Sequence, residues 1–365
     1  MKSWAPIVLV GVMLAFSTQL ADSARRPSLQ AGSVNHFQGQ CENDPDGTRF
    51  AAKACYLNYS RFDPARAGFG RLYHRPTCDR SKELPEPKKD VLARAYVLAP
   101  NYVKAKLCRL TQVFVTQPRD LWGSWGFWEA PDRPPGTGTF IAISDDFIGK
   151  KSLAEEENDV LDKLLKLHVQ PRSQRLPYFA TADASDPGAA MLAVFAHELG
   201  HILLADTDAD GTDPRHPRRR VSGPPQSACF EHAFLGQSWN ARIFHRHMRR
   251  WIPFAEQDHN RQRTIVFSLK RLQREARARD YVEIGKEIME VYQSREFVSP
   301  FAAVRPEEDF VETYKYKVLA DVAGDLTIRF PIEGEDRKLS EVVRSPIIER
   351  KIRCIGDLGL LSGEP

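Results

Sequence analysis

Hydrophobic positions change their spacing several times along the chain, and each change predicts an element. Lys2 is followed by an apolar run from Ala5 to Phe16 and then by Ala21, Asp22 and Ser23, the small-x-small form of a signal peptidase site. This predicts a leader over residues 1–23 and an exported chain after its removal. The run is too short to cross a bilayer, and no later stretch is expected to supply the ~20 apolar residues of a transmembrane helix. Residues 24–87 hold three cysteines among many Pro, Gly, Asn, Asp and Arg and show no long helical period, so they read as a loop-rich extension. From Asp90 the pattern tightens. A helix is predicted over 91–98, ending before Pro100, and strands are predicted around Val113, Phe114 and Val115 and over 137–144. Ser152 and Glu155 form a capping-box signature ahead of an amphipathic helix that turns Leu153, Val160, Leu161, Leu164 and Leu165 inward. Asp186 and Pro187 supply an N-cap and a first-turn proline for a helix over 191–204 that is apolar on nearly every side and must therefore be buried. Basic helical patterns fill 226–294. Pro306 opens a further helix with Glu307, Glu308 and Asp309 in its first turn, as the helix dipole favours. Beyond Leu319 short strands and turns alternate weakly. The whole predicts an α+β domain over 88–365 behind the 24–87 extension.

Composition narrows the class. With 42% hydrophobic residues and a formal charge of +4 over 365 residues, the chain belongs with folded globular proteins rather than disordered, collagen-like or coiled-coil ones. Its six cysteines, in an exported protein, read as up to three disulfides, and the absence of any C-x-x-C pair argues against a zinc ribbon. Cys229 and Cys354 both fall inside the 88–365 unit and are the pair to examine first.

Chemistry concentrates in the buried helix. His197 and His201, four residues apart, project from one face and suit two ligands of a single metal ion, with Glu198 beside them to act on a water. Polar groups on so apolar a helix need a partner, which a metal would supply. A catalytic zinc site needs a third protein ligand. A third histidine at the long-signature spacing is absent, since Leu204 and Thr207 occupy the positions where that pattern requires glycine and histidine. Glu231 and Glu308 compete for the place.

The segment from His197 to His201, followed by 301–312 with its Glu308, Phe310 and Glu312 spaced as E-x-F-x-E, resembles the lethal-factor-like branch of the gluzincin zinc metallopeptidases. Gly236 to Trp239 lies between the two segments. The resemblance implies a zincin-like fold, one Zn²⁺ per chain held by His197, His201 and Glu308, Glu312 one turn on as an acid steadying the site, Glu198 as general base, and a peptide or protein substrate. It ranks Glu308 over Glu231. It also implies a tyrosine seven residues before the glutamate, supporting the oxyanion, where this chain has Phe301. Phenylalanine has no hydrogen-bond donor. Tyr292, Tyr314 and His232 are substitute candidates, and the rival expectation is an envelope protein that binds metal with weak or no catalysis.

Other features carry less. Asp206, Asp208 and Asp210 with Gly211 mimic the opening of a calcium loop, but Pro217 stands where its bidentate glutamate belongs. Asp206 is retained as a group that could steady the histidines. The basic stretch 245–250 reads as a solvated helix face, because a net charge of +4 and the lack of a binding motif argue against nucleic acid. Trp122, Trp125 and Trp128 read as a substrate platform or as a loop packing its own rings. Asn58 and Ser60 fit a glycosylation acceptor.

Overall fold

The computed structural model describes residues 43–58, 76–117, 124–127, 140–149, 152, 153, 155–157, 180–181, 186–208, 228–239, 291, 294–304, 306–323, 327–329 and 336–362. Of these, the side chains at 124–127, 180–181, 205–208, 228, 231, 304, 328–329 and 336–337 lie outside the description. So do the calcium-loop mimic, the basic stretch 245–250, Tyr292, Ser60, Trp122, Trp128, the Trp125 side chain and the residues 158–165 of the expected amphipathic helix.

In chain order the helices are α1 (Thr48–Ala51), α2 (Glu86–Leu98), α3 (Asn101–Leu107), α4 (Pro187–Asp208), α5 (Ala228–Phe230), α6 (Gly236–Ser238), α7 (Pro306–Ala323), α8 (Leu339–Val343) and α9 (Pro346–Asp357). A π-helical turn, Glu231–Leu235, joins α5 to α6. The strands are β1 (Ala54–Tyr56), β2 (Gln112–Thr116), β3 (Ser124–Phe127), β4 (Phe140–Ser144), β5 (Ala180–Thr181), β6 (Thr327–Arg329) and β7 (Asp336–Lys338). The architecture is mixed helix and sheet, compatible with the α+β class. One sheet has the order β1-β2-β4-β3, with β1, β2 and β4 parallel and β3 antiparallel on the edge, and a second runs β5-β6-β7.

Parallel pairing explains why β2 and β4 read as unbroken apolar runs: both faces of the sheet are covered. Val113, Val115, Ile141 and Ile143 face the main core, while Phe114, Phe140 and Ala142 pack with Leu57 on the other face, under the Cys55–Cys78 disulfide. Residues 43–57 are integrated with this sheet. β1 is one of its edge strands, and Phe50 stacks on Tyr96 of α2 at 5.1 Å and meets Phe195 of α4 edge-on at 5.3 Å.

Helix α4 is the axis of the core. Asp186 Oδ1 accepts from the Gly188 amide at 2.8 Å, the N-cap expected from the sequence. Met191, Leu192, Phe195, Ala196, Leu199, Ile202 and Leu203 are all buried, because α2, α7 and the β3–β4 edge surround the helix. Residues 187–204 are, by length and composition, apolar enough to cross a membrane, which the sequence reading had not expected of any stretch after the leader, and 78% of that window is buried inside the protein. The capping box also forms: Ser152 N–H donates to Glu155 Oε2 at 2.8 Å and Glu155 N–H to Ser152 Oγ at 3.2 Å.

The C-terminal tail departs from the expected strands and turns. After β6 and β7 it is helical, and α9 repeats the signal that opens α4, with Ser345 accepting from Ile348 N–H ahead of Pro346 in the first turn. Ile348, Lys351, Cys354 and Ile355 recur at helical spacing and are all buried.

Cys229 and Cys354 are bonded to each other, tying α5 to α9 across 125 residues of sequence, and Cys108 is in a disulfide as well. Such bonds hint at an oxidising environment. Replacing Cys229 and Cys354 by alanine is expected to cost about 2–4 kcal/mol, because a loop this long gains much entropy when released in the unfolded chain. The cost should exceed that of removing Cys55 and Cys78, which close only 23 residues, when both variants are compared by urea denaturation.

Candidate metal centre

The four-residue spacing on α4 brings His197 and His201 together with their Nε2 atoms 3.2 Å apart and their rings edge-to-face. Glu308, in the first turn of α7, directs Oε2 to within 3.8 Å of His197 Nε2 and 3.6 Å of His201 Nε2. Among the described residues, these three are the group whose ligand atoms converge, all within 4.8 Å of one another. A point equidistant from the three facing atoms lies about 2.1 Å from each, the bond length of a first-row divalent ion to nitrogen or oxygen. Two imidazoles and a carboxylate at that spacing fit a metal ion. Glu308 is buried with 5% of its side chain exposed, while His201 keeps 30%, so the site opens to solvent on the His201 side.

The orientation of His197 is set from behind. Its Nδ1 lies 2.8 Å from Glu312 Oε1, and with that nitrogen donating, Nε2 presents its lone pair to the site. Glu312 is fully buried. Its Oε2 accepts from Ser299 Oγ at 2.6 Å, and its Oε1 receives Lys315 Nζ at 2.9 Å. Lys315 in turn donates to Glu157 Oε1 at 2.7 Å, and Tyr316 donates to Glu157 Oε2 at 3.3 Å. Burial alone would raise the Glu312 carboxyl, but Lys315 and the His197 contact outweigh it and lower it to about 2. The same logic holds His197 up at about 8: burial opposes its charge, and the bond to Glu312 with the carboxylates of Glu198 and Glu308 overcomes it.

Glu198 follows His197 on α4 and is buried at 2% exposure. The Phe301 ring stacks on the His197 ring at 5.5 Å, so the expected tyrosine position does lie against the site and carries a phenyl group there. Tyr314 is buried edge-on to Tyr102 of α3, and His232 is exposed in the π-helical turn. The Glu231 and Asp206 side chains lie outside the described residues.

The sequence missed Ser299, Glu157 and Lys315. For Lys315 a signal existed: it sits among Phe310, Val311, Tyr314, Tyr316, Val318 and Leu319 and three residues after Glu312, a cation on a helix with little room for a solvated face.

Gly200, between the two histidines, sets how closely α4 and α7 approach. A Cβ there would lie 3.1 Å from both Cα and Cγ1 of Val311. Alanine would gain about 1 kcal/mol of helix propensity, but the contact is with backbone, and overpacking of this kind typically costs about 1–3 kcal/mol. Gly200→Ala is therefore expected to lower the melting temperature and to weaken metal binding together, by separating the histidines from Glu308. Thermal denaturation and a metal titration check it.

No protein-family model, curated protein or solved structure matches the chain.

Proposed function

We propose that the protein is an exported zinc metallopeptidase of the zincin class, with His197, His201 and Glu308 holding one Zn²⁺ and Glu198 as general base. The observation that carries this reading is the convergence of the three ligand atoms beside Glu198 on a buried helix. Two imidazoles and one carboxylate are a donor set that catalytic zinc uses, with the fourth position left for water. When bound, zinc supplies a Lewis acid for the scissile carbonyl and lowers the pKa of water toward about 7.

The chain's residues do the rest. Glu198 takes the proton of the attacking water and passes it to the leaving amine. Glu312 fixes the His197 ring. A peptide substrate is supported by β3, an edge strand among the described residues that packs beside α4, because its open edge can pair with an extended chain. The disulfides support export.

Phe301 favours a second reading, a zincin-like metal protein with weak or no turnover. An oxyanion donor typically contributes about 10²- to 10³-fold in turnover, and Phe301→Tyr is expected to recover activity on that scale if the loss is what slows the protein. The test joins metal analysis of the purified chain to cleavage of a peptide library. One zinc per chain with chelator-sensitive cleavage is expected. No zinc would sink both readings, and zinc without cleavage of any peptide, in both the wild type and Phe301→Tyr, would leave only the second.

A further inference from the structure

The third ligand stands in the first turn of α7, where a helix lacks half of its backbone hydrogen bonds and is easiest to displace. What holds that turn comes from two other parts of the chain, the Trp239 segment and α9. Asp309, next to Glu308 and fully buried, accepts from Trp239 Nε1 at 2.9 Å and from Lys351 Nζ at 2.6 Å. Lys351 is itself fully buried on α9. Its ammonium group also donates to the Glu296 carbonyl at 2.6 Å and lies 4.8 Å from the Phe297 ring centroid and 5.5 Å from that of Phe234. One cation thus grips both the turn that carries Glu308 and the segment that leads to Ser299 and Phe301. One turn further along α9, Cys354 is bonded to Cys229, which fixes α9 to the segment that also supplies Trp239.

A buried ion pair is a poor source of net stability, since apolar residues of the same volume usually serve as well or better. What the pair provides in their place is direction: a short charged hydrogen bond defines where Asp309, and hence Glu308, must sit. We propose that Lys351 is a positioning residue for the metal site, acting through Asp309 to hold Glu308 at the two histidines, so that the C-terminal helix sets metal affinity without touching the metal. This rests on the three-residue site described above.

The experiment titrates full-length protein with Co²⁺ and records its visible absorption, which reports the ligand set, alongside urea denaturation of the metal-free chain. In Lys351→Met/Asp309→Asn the charges are removed together, and the asparagine carbonyl still accepts from Trp239. The expected result is a 10- to 100-fold weaker Co²⁺ affinity, the usual scale for losing a group that orients a ligand, and a visible spectrum altered from wild type, with the urea midpoint close to wild type. Trp239→Phe, which removes the indole donor together with part of a buried ring, should move affinity in the same direction by a smaller factor and, with its urea midpoint measured alongside, decides the matter if the double variant does not fold. Wild-type affinity and spectrum in the folded double variant, or in Trp239→Phe when that variant has to decide, would overturn the proposal. Wild-type behaviour of Glu308→Gln would instead remove the site on which it rests.

Discussion

Glu198→Gln is expected to cut peptide hydrolysis by roughly 10²- to 10⁴-fold, the range for losing a general base, while the chain still binds one metal ion. The two halves of this expectation separate roles that sit side by side on α4. His197 and His201 point their Nε2 atoms at Glu308, whereas Glu198, one position from His197, lies about 100° around the helix and is not among the converging ligands. Glutamine keeps the size and one acceptor oxygen of the buried carboxyl but cannot take a proton near neutral pH. The decisive comparison is with Glu308→Gln, which should lose metal and activity together. Hydrolysis of a fluorogenic peptide and metal content, measured on the same preparations, check both. Undiminished cleavage by Glu198→Gln would rule out its role as base.

The contrast between ligands and supports also explains what could be read from the sequence. The histidines and the helix that carries them were legible because their signals are local: a cap at Asp186, a proline at 187, and apolar residues on all sides of a polar pair. The start of α7 was legible through Pro306 and three acids in one turn, whereas the sequence left the disulfide connectivity open and only marked Cys229 and Cys354 as the pair to examine first. The parallel sheet was not, because β1, β2 and β4 are brought together by contacts over long stretches of chain, which no local period encodes. Helix α9 was overlooked although Ser345 and Pro346 repeat the opening of α4. Lys315 and Lys351 were the hardest to see. Lysine is almost always solvated, and only partners from distant sequence make its burial tolerable: Glu157 lies 158 positions from Lys315, and Asp309 lies 42 from Lys351.

Lys315→Met should therefore be among the most damaging single changes outside the ligands, costing about 3–5 kcal/mol, the range for removing one member of a buried ion pair. Methionine fills nearly the same volume, so the loss is electrostatic rather than a cavity. Without the ammonium group, Glu312 and Glu157 face each other across a buried space with no cation between them. One of them must then take a proton or unfold the region. Because Glu312 holds His197 through Nδ1, its altered charge should also weaken metal binding, so the variant loses stability and metal affinity together. Lys315→Met/Glu157→Gln separates the causes. With Glu157 neutral, the mutual repulsion disappears, and a large part of the stability should return while Glu312 still lacks its cation. Urea denaturation of the three proteins in chelator gives the stability terms, and zinc titration of each gives the other. If Lys315→Met unfolded within about 1 kcal/mol of wild type, or if the added Glu157→Gln made it less stable still, Lys315 would not be the residue that keeps two buried carboxylates together behind the metal site.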